Sequence, residues 1–356
     1  MKQNVVCILI TIVAYLAFMI IVGVVCSRKN KNVGDFYLGG RKLGPFVTAM
    51  SAEASDMSSY LLMGLPGLAY LSGMAEVGWT VIGLAVGTYL NWLIVAKRLR
   101  IYSSVNKSIT IPEFFSNRYG DKKHIISLIS AAIILIFFVP YTASGFAACG
   151  KLFQSLFGMN YHIAMIISAL VIIAYTSIGG FLAASTTDFI QSIIMTVALL
   201  IMIVFGVYTA GGIGNVIDNA ESLSGYFSLF TAHHNDTNTS SPYGFLSIIS
   251  TVAWGLGYFG MPHILLRFMA TESESKIKLS RRIASVWVVI SMAVAILIGM
   301  TGRTLSASGI IKNLSTSSDS ETIIVKMAEL LSQHGIVAAL FAGLIFAGIL
   351  ACTMST

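Results

Sequence analysis

Ser51-Ala52-Glu53-Ala54-Ser55-Asp56-Met57-Ser58-Ser59-Tyr60 stands in the middle of an otherwise apolar stretch, 45–74. A single mid-membrane aspartate costs roughly 2.5–3.5 kcal/mol to insert, and here two carboxylates and four serine hydroxyls occur together. Such a run is tolerated where it lines a water-filled cavity or binds an ion. Met63-Gly64-Leu65-Pro66-Gly67 follows and loosens the backbone a second time. The expected structure is a membrane helix broken around a cation.

The rest of the chain fits that setting. Of 356 residues, 56% are hydrophobic and 10% charged, against the roughly 25% charged residues of a soluble domain. Apolar runs of membrane-spanning length recur throughout, so the fold class is an all-α polytopic membrane protein. The short alternating segments of a β-barrel are absent. Cys7, Cys26, Cys149 and Cys352 lie in apolar runs without pairing or ligand spacing and read as packing residues. The first run, 5–26, is too long for a signal-peptide core and is expected to remain as a helix.

Spanning segments are predicted at 5–27, 45–71, 73–96, 124–150, 161–182, 185–211, 243–270, 283–304 and 335–356. With the N-terminus outside, the three cytoplasmic loops hold seventeen of the twenty-two basic residues, Arg267 among them; Lys2, Lys151, Arg303, Lys312 and Lys326 fall elsewhere. The positive-inside rule therefore gives an N-out topology. The net charge of +7 is a topology signal. It does not point to nucleic acid, which would need a basic face on a soluble domain. Thr110-Ile111-Pro112-Glu113 reads as a helix start, with Thr as cap and Glu at the positive end of the dipole. The 211–242 loop has no Lys or Arg, as expected outside; its Asn235-Asp236-Thr237 and Asn238-Thr239-Ser240 match glycosylation acceptors too short to weigh heavily. His233-His234 there has no third ligand nearby and reads as a solvated pair.

A second interruption, Trp254-Gly255-Leu256-Gly257-Tyr258-Phe259-Gly260-Met261-Pro262-His263, lies five spanning segments after the first. Three glycines and a proline exclude a uniform helix. A glycine-rich packing face with a proline kink would also account for it alone. Paired with the Asp56 segment, it matches the two discontinuous helices that mark a secondary transporter's substrate site.

In these stretches the chain resembles the sodium/solute symporter family, most of all its sodium/proline symporters. The resemblance rests on Asp35-Phe36-Tyr37-Leu38-Gly39-Gly40-Arg41, Ala54-Ser55-Asp56-Met57-Ser58, Leu61-Leu62-Met63-Gly64-Leu65-Pro66-Gly67, Gly179-Gly180-Phe181-Leu182-Ala183, Trp254-Gly255-Leu256-Gly257-Tyr258-Phe259-Gly260 and Pro262-His263-Ile264. It implies a five-plus-five inverted-repeat fold with one extra N-terminal helix. Residues 1–44 would hold that helix and a cytoplasmic loop, 45–211 the first repeat, 212–242 an extracellular loop, and 243–356 three helices of the second repeat. On that count the chain is expected to be part of a longer protein.

The resemblance also implies residue roles. Sodium would be held by the carbonyls of Ala54, Met57 and Cys352 and the hydroxyls of Ser355 and Thr356, with Asp56 supplying the negative charge. Such an all-oxygen set suits a hard cation. A carboxylate capping the unwound half-helix is the other reading of Asp56. Asp188 would serve ion handling or gating, or else cap the 185–211 helix. Ser58, Tyr141, Trp254, Tyr258 and Pro262 would surround a small zwitterion, aromatic faces covering an apolar ring and attracting its ammonium; interface packing is the alternative for each aromatic. Two departures stand out: Ser59-Tyr60 where proline symporters commonly have Gly-Trp, and Glu53 where a small residue is usual. Either could move the substrate away from proline, and Glu53 could instead face the cytoplasmic vestibule.

The implied function is sodium-driven uptake of L-proline across the plasma membrane. Uptake of another amino acid, a betaine-like osmolyte or pantothenate, and a transporter-like sensor, are the alternatives. Sodium as coupling ion and the lipid bilayer are the other expected partners, with no cofactor and no obligate protein partner. No nucleophile–base pair, metal-ligand set or P-loop points to an enzyme.

Overall fold

The computed structural model describes residues 2–354, most of them helical. Helix α1 (Lys2–Ser27) is followed by the short α2 (Val33–Leu38) and the broken pair α3 (Pro45–Met57) and α4 (Gly64–Ser72). Helix α5 (Met74–Asn91) passes through a π-helical turn, Trp92–Ala96, into α6 (Lys97–Val105); α7 (Ile111–Tyr119), α8 (Ile125–Phe157) and α9 (Tyr161–Thr209) follow. After α10 (Ile213–Glu221) comes a hairpin of β1 (Thr231–His234) and β2 (Thr239–Pro242). The second broken segment is α11 (Phe245–Val252), a 3-10 turn at Ala253–Phe259, and α12 (Pro262–Ala270). Then come α13 (Ile277–Ala307), α14 (Ser317–Ser320), α15 (Ile323–Ser332) and α16 (Ile336–Met354).

Among the described residues, five helices are long and apolar enough to cross a membrane, or six counting the bent α11–α12 segment. Outward faces such as Leu128, Leu135, Ile136 and Phe137 on α8 are largely exposed, which is stable against lipid and unfavourable against water. The protein is membrane-embedded and multi-pass.

Six of the nine predicted spans fall on these helices; 45–71, 161–182 and 335–356 fall on shorter ones, and three further corrections apply. The 73–96 segment continues to Val105, because no glycine or proline interrupts 93–105. The 161–182 and 185–211 segments meet at Gly180, whose backbone (φ 64°, ψ −164°) leaves the helical region, a conformation glycine adopts without strain. Helices α14 and α15, between the last two predicted spans, were not foreseen; Ile323, Ile324, Val325, Met327 and Ala328 of α15 are buried. The predicted start at Thr110 is a genuine cap: its Oγ1 accepts from Glu113 N (3.2 Å) while Glu113 Oε2 accepts from Ile109 N (2.7 Å).

Helix α3 packs among α9, α12 and α13, and α1 packs against α9 and α16. Where the second break meets α5, backbones touch: a Cβ on Gly255 would lie 2.0 Å from Gly83 O, so no larger residue fits. Just before α3, Leu43 N donates to Ala270 O (3.2 Å) and Leu43 O accepts from Glu272 N (3.0 Å). The first broken segment thus starts where the second ends, and the two run in opposite senses. Arg41 pins the same pole, donating to Met269 O, Ser103 O and Ser108 O at 2.7, 3.0 and 2.7 Å. Burial, then the neighbouring Arg100, hold its pKa below the usual arginine value.

The hairpin corrects another expectation. His234 is exposed, but His233 is 3% exposed, with Nδ1 2.9 Å from Ser224 O and its ring against Tyr226. Burial foremost, with Arg303 and His234 adding repulsion, lowers its pKa below the ordinary 6.5, against the Ser224 carbonyl that raises it. The folded state therefore binds the proton less readily than the unfolded state, and stability is full above about pH 6.5 and lost as pH falls below it. The melting temperature is expected to drop between pH 7.5 and 5.5 more in the wild type than in His233→Gln, read by thermal unfolding at both pH values; equal drops would contradict this.

Candidate functional site

The first break is sharp. Helix α3 ends at Met57, and Ser58 takes φ 45°, ψ −150°, while its N–H still closes on Ala54 O. A non-glycine residue at such an angle costs of order 1–3 kcal/mol and persists only where the surroundings fix it. A 3-10 turn, Ser58–Tyr60, leads to α4. In the second segment the chain bends by 41° between Phe259 and Pro262, and Pro262 opens α12 in the position where its missing N–H costs nothing.

A cavity of about 410 Å³ lies between the two breaks. Ser58, Tyr141, Trp254 and Tyr258, all named from the sequence, line it together with Asp56 and Met57. Tyr141 OH donates to Ser55 O (3.2 Å) and Asp56 O (3.4 Å), tying α8 to the end of α3. Tyr258 is buried, and its carbonyl accepts from Asn91 Nδ2 at 2.8 Å. Pro262 does not line the cavity; the preceding Met261 does.

Both carboxylate oxygens of Asp56 are buried and have no hydrogen-bond partner among the described residues. The capping alternative is therefore not realised. The Tyr258 hydroxyl points at it, and Glu53 and Arg267 form its electrostatic surroundings. The Ala54 and Met57 carbonyls accept from Ser58 N and Leu61 N. Helix α16, which carries Cys352, packs on the Ser58–Tyr60 turn. Ser355 and Thr356 lie outside the described residues.

Asp188 does not cap a helix either. It lies eight residues beyond Gly180, fully buried, and its Oδ2 accepts from Ser51 Oγ (2.7 Å) and pairs with Arg267. Arg267 was expected in a cytoplasmic loop and is instead buried inside α12, donating also to Ser51 Oγ (2.6 Å) and His263 O (2.5 Å). Its signal in the sequence was position: a base five residues after Pro262, flanked by Leu265, Leu266, Phe268 and Met269, needs a buried acid.

Of the two departures, only one reaches the cavity. Ser59 and Tyr60 line it, and the Tyr60 ring meets Trp254 edge-on at 4.9 Å. Glu53 points elsewhere: its Oε1 accepts from Trp92 Nε1 at 3.0 Å, and it is not part of the cavity wall. Sequence reasoning missed the cavity residues Lys151 and Glu321.

Residues 36–356 match the model of the Sodium:solute symporter family. The chain belongs to that family. It is 41% identical over 349 residues to the sodium/proline symporter of Escherichia coli (strain K12), covering 98% of this chain and 66% of the relative. It is 43% identical over 354 residues to the sodium/proline symporter of Haemophilus influenzae, covering 98% and 67%. It is 38% identical over 348 residues to that of Staphylococcus aureus, covering 98% and 64%. The chain thus spans about two thirds of the length of the curated relatives it matches. Among solved structures, the substrate-bound outward-open state of a Na+-coupled sialic acid symporter shares the fold, with a TM-score of 0.79 at 18% identity, covering 98% of this chain and 71% of that one. The family is one of solute symporters, not of enzymes.

Proposed function

We propose that this protein acts as a secondary active transporter in the plasma membrane, taking up L-proline together with sodium. The observation that carries the reading is Asp56: two buried carboxylate oxygens without a partner, at a helix break, beside an aromatic-lined cavity. A buried carboxylate left without hydrogen bonds is costly, and a bound cation offsets that cost. Ala54 and Met57 carbonyls from α3, with the Cys352 carbonyl and the Ser355 and Thr356 hydroxyls, complete an oxygen set of the kind sodium takes. Asp188, held by Arg267 and Ser51, stands apart from the cavity wall and gates or relays rather than binds substrate.

For the solute, Trp254, Tyr258 and Tyr141 offer faces to an apolar ring and its ammonium, while Ser58 and the N-terminus of α4 offer donors to a carboxylate. Pro262 acts through the bend it fixes. The opposite senses of the two broken segments support an inverted repeat, with 45–211 as the first repeat, 212–242 as an external loop and 243–356 within the second, after the extra helix of 1–44. The basic residues near the shared Leu43–Thr271 pole support placing that pole in the cytoplasm and the N-terminus outside. The names of the relatives favour proline. Tyr60 against Trp254 favours a second reading, sodium-coupled uptake of another small solute, because a changed wall changes the fit.

Trp254→Ala and Tyr258→Ala are expected to weaken solute binding by about 1–3 kcal/mol while leaving sodium binding nearly unchanged. Competition for sodium-driven uptake among proline, other amino acids, betaine-like solutes and pantothenate tests the substrate. If proline does not compete and another solute does, the second reading replaces the first.

A further inference from the structure

Tyr141, Ser144, Ala148 and Lys151 all line the cavity. Their spacing of three, four and three residues places them on one face of α8, and ten residues of helix span about 15 Å. The cavity therefore runs from Asp56 and Tyr141 at one end to Lys151 at the other. Among the described lining residues Lys151 is the one basic side chain. Its ammonium pairs with the carboxylate of Glu321, another lining residue, and the two side chains are 30% and 34% exposed. Glu321 is set there by backbone contact: a Cβ on Gly67 would lie 2.8 Å from both Ser320 O and Glu321 N, so the turn after α14 rests directly on α4. A partly exposed ion pair contributes little to stability. Its place on the wall of the cavity calls for another use.

We propose that Lys151 is a substrate-recognition residue at the cavity mouth, taking the carboxylate of an incoming zwitterion in place of Glu321. Glu321 keeps the ammonium oriented and desolvated in part, and an arriving carboxylate exchanges with it without bringing a new charge into an unpaired setting. Cations without a carboxylate have nothing to offer Lys151 in exchange for Glu321 and are not recognised there. This rests on the reading of the cavity as a solute site, and deepens it.

The test is the apparent KM for sodium-driven uptake in wild type, Lys151→Met and Glu321→Gln. The solute is whichever of proline, alanine, glycine and glycine betaine the wild type takes up, with its carboxamide as competitor where one exists. Lys151→Met is expected to raise the KM about tenfold, the effect of losing one charge-assisted bond. Glu321→Gln releases the ammonium and is expected to lower the KM about threefold. The sodium half-saturation should stay put in both variants, and the carboxamide should inhibit wild type and Lys151→Met alike. A pair that merely latches α8 to the α14–α15 segment would move both variants the same way, and that result, or no change in either, overturns the proposal. If Lys151→Met yields no folded protein, the direction in Glu321→Gln decides. Uptake confined to solutes without a carboxylate also overturns it. Which solute the wild type prefers tests the proline reading separately.

Discussion

Asp56→Asn is expected to raise the sodium concentration for half-maximal uptake on the order of 100-fold. A full charge a few ångströms from the ion, at an effective dielectric of about 20, contributes roughly 3–4 kcal/mol. The amide dipole retains part of it, and the remainder corresponds to about two powers of ten. Neither carboxylate oxygen has a close hydrogen-bond partner among the described residues, and the Tyr258 hydroxyl beside them can donate to the amide oxygen as well. Melting temperature should therefore hold or rise, which separates an ion-binding carboxylate from a structural one. Titrating uptake against sodium in wild type and variant measures the shift. Equal sodium dependence would remove the role given to Asp56.

The second large effect concerns stability. Arg267→Met should destabilise the protein by about 3–5 kcal/mol, because it leaves Asp188 buried and uncompensated. Asp188 is fully buried and Arg267 4% exposed, so water cannot take over the pairing. Removing both charges in Arg267→Met/Asp188→Leu should recover much of the loss, since an apolar pair of similar volume has no desolvation cost. Thermal unfolding of the detergent-solubilised variants checks both values. A single variant as stable as wild type, or a double variant no better than the single, would contradict a buried ion pair at this place.

Much of this architecture was legible in the sequence, and the limits have physical reasons. The two breaks could be read because glycine, proline and buried carboxylates violate helix and lipid rules locally. Four of the five residues expected around a solute fell on one cavity wall for the same reason: they sit within a few residues of a break, or one packed helix away. Gly180 was missed by a few residues because two helices meeting at one glycine leave no polar linker to mark the turn. Arg267 was misplaced because a charge near a helix end looks like a loop charge until its partner, 79 residues away, is known. Glu321 and Lys151 are 170 residues apart, and only the packing of α14 on α4 brings them to one cavity. His233 was read as solvated because neither Tyr226 nor Ser224 carries a local signal for the hairpin that buries it.

A sodium gradient is expected to drive the solute. Radiolabelled proline uptake into liposomes holding the reconstituted protein, under an inward sodium gradient and under choline of equal concentration, measures this. Transient accumulation above equilibrium is expected with sodium and none with choline. Accumulation that is unchanged when choline replaces sodium would contradict it.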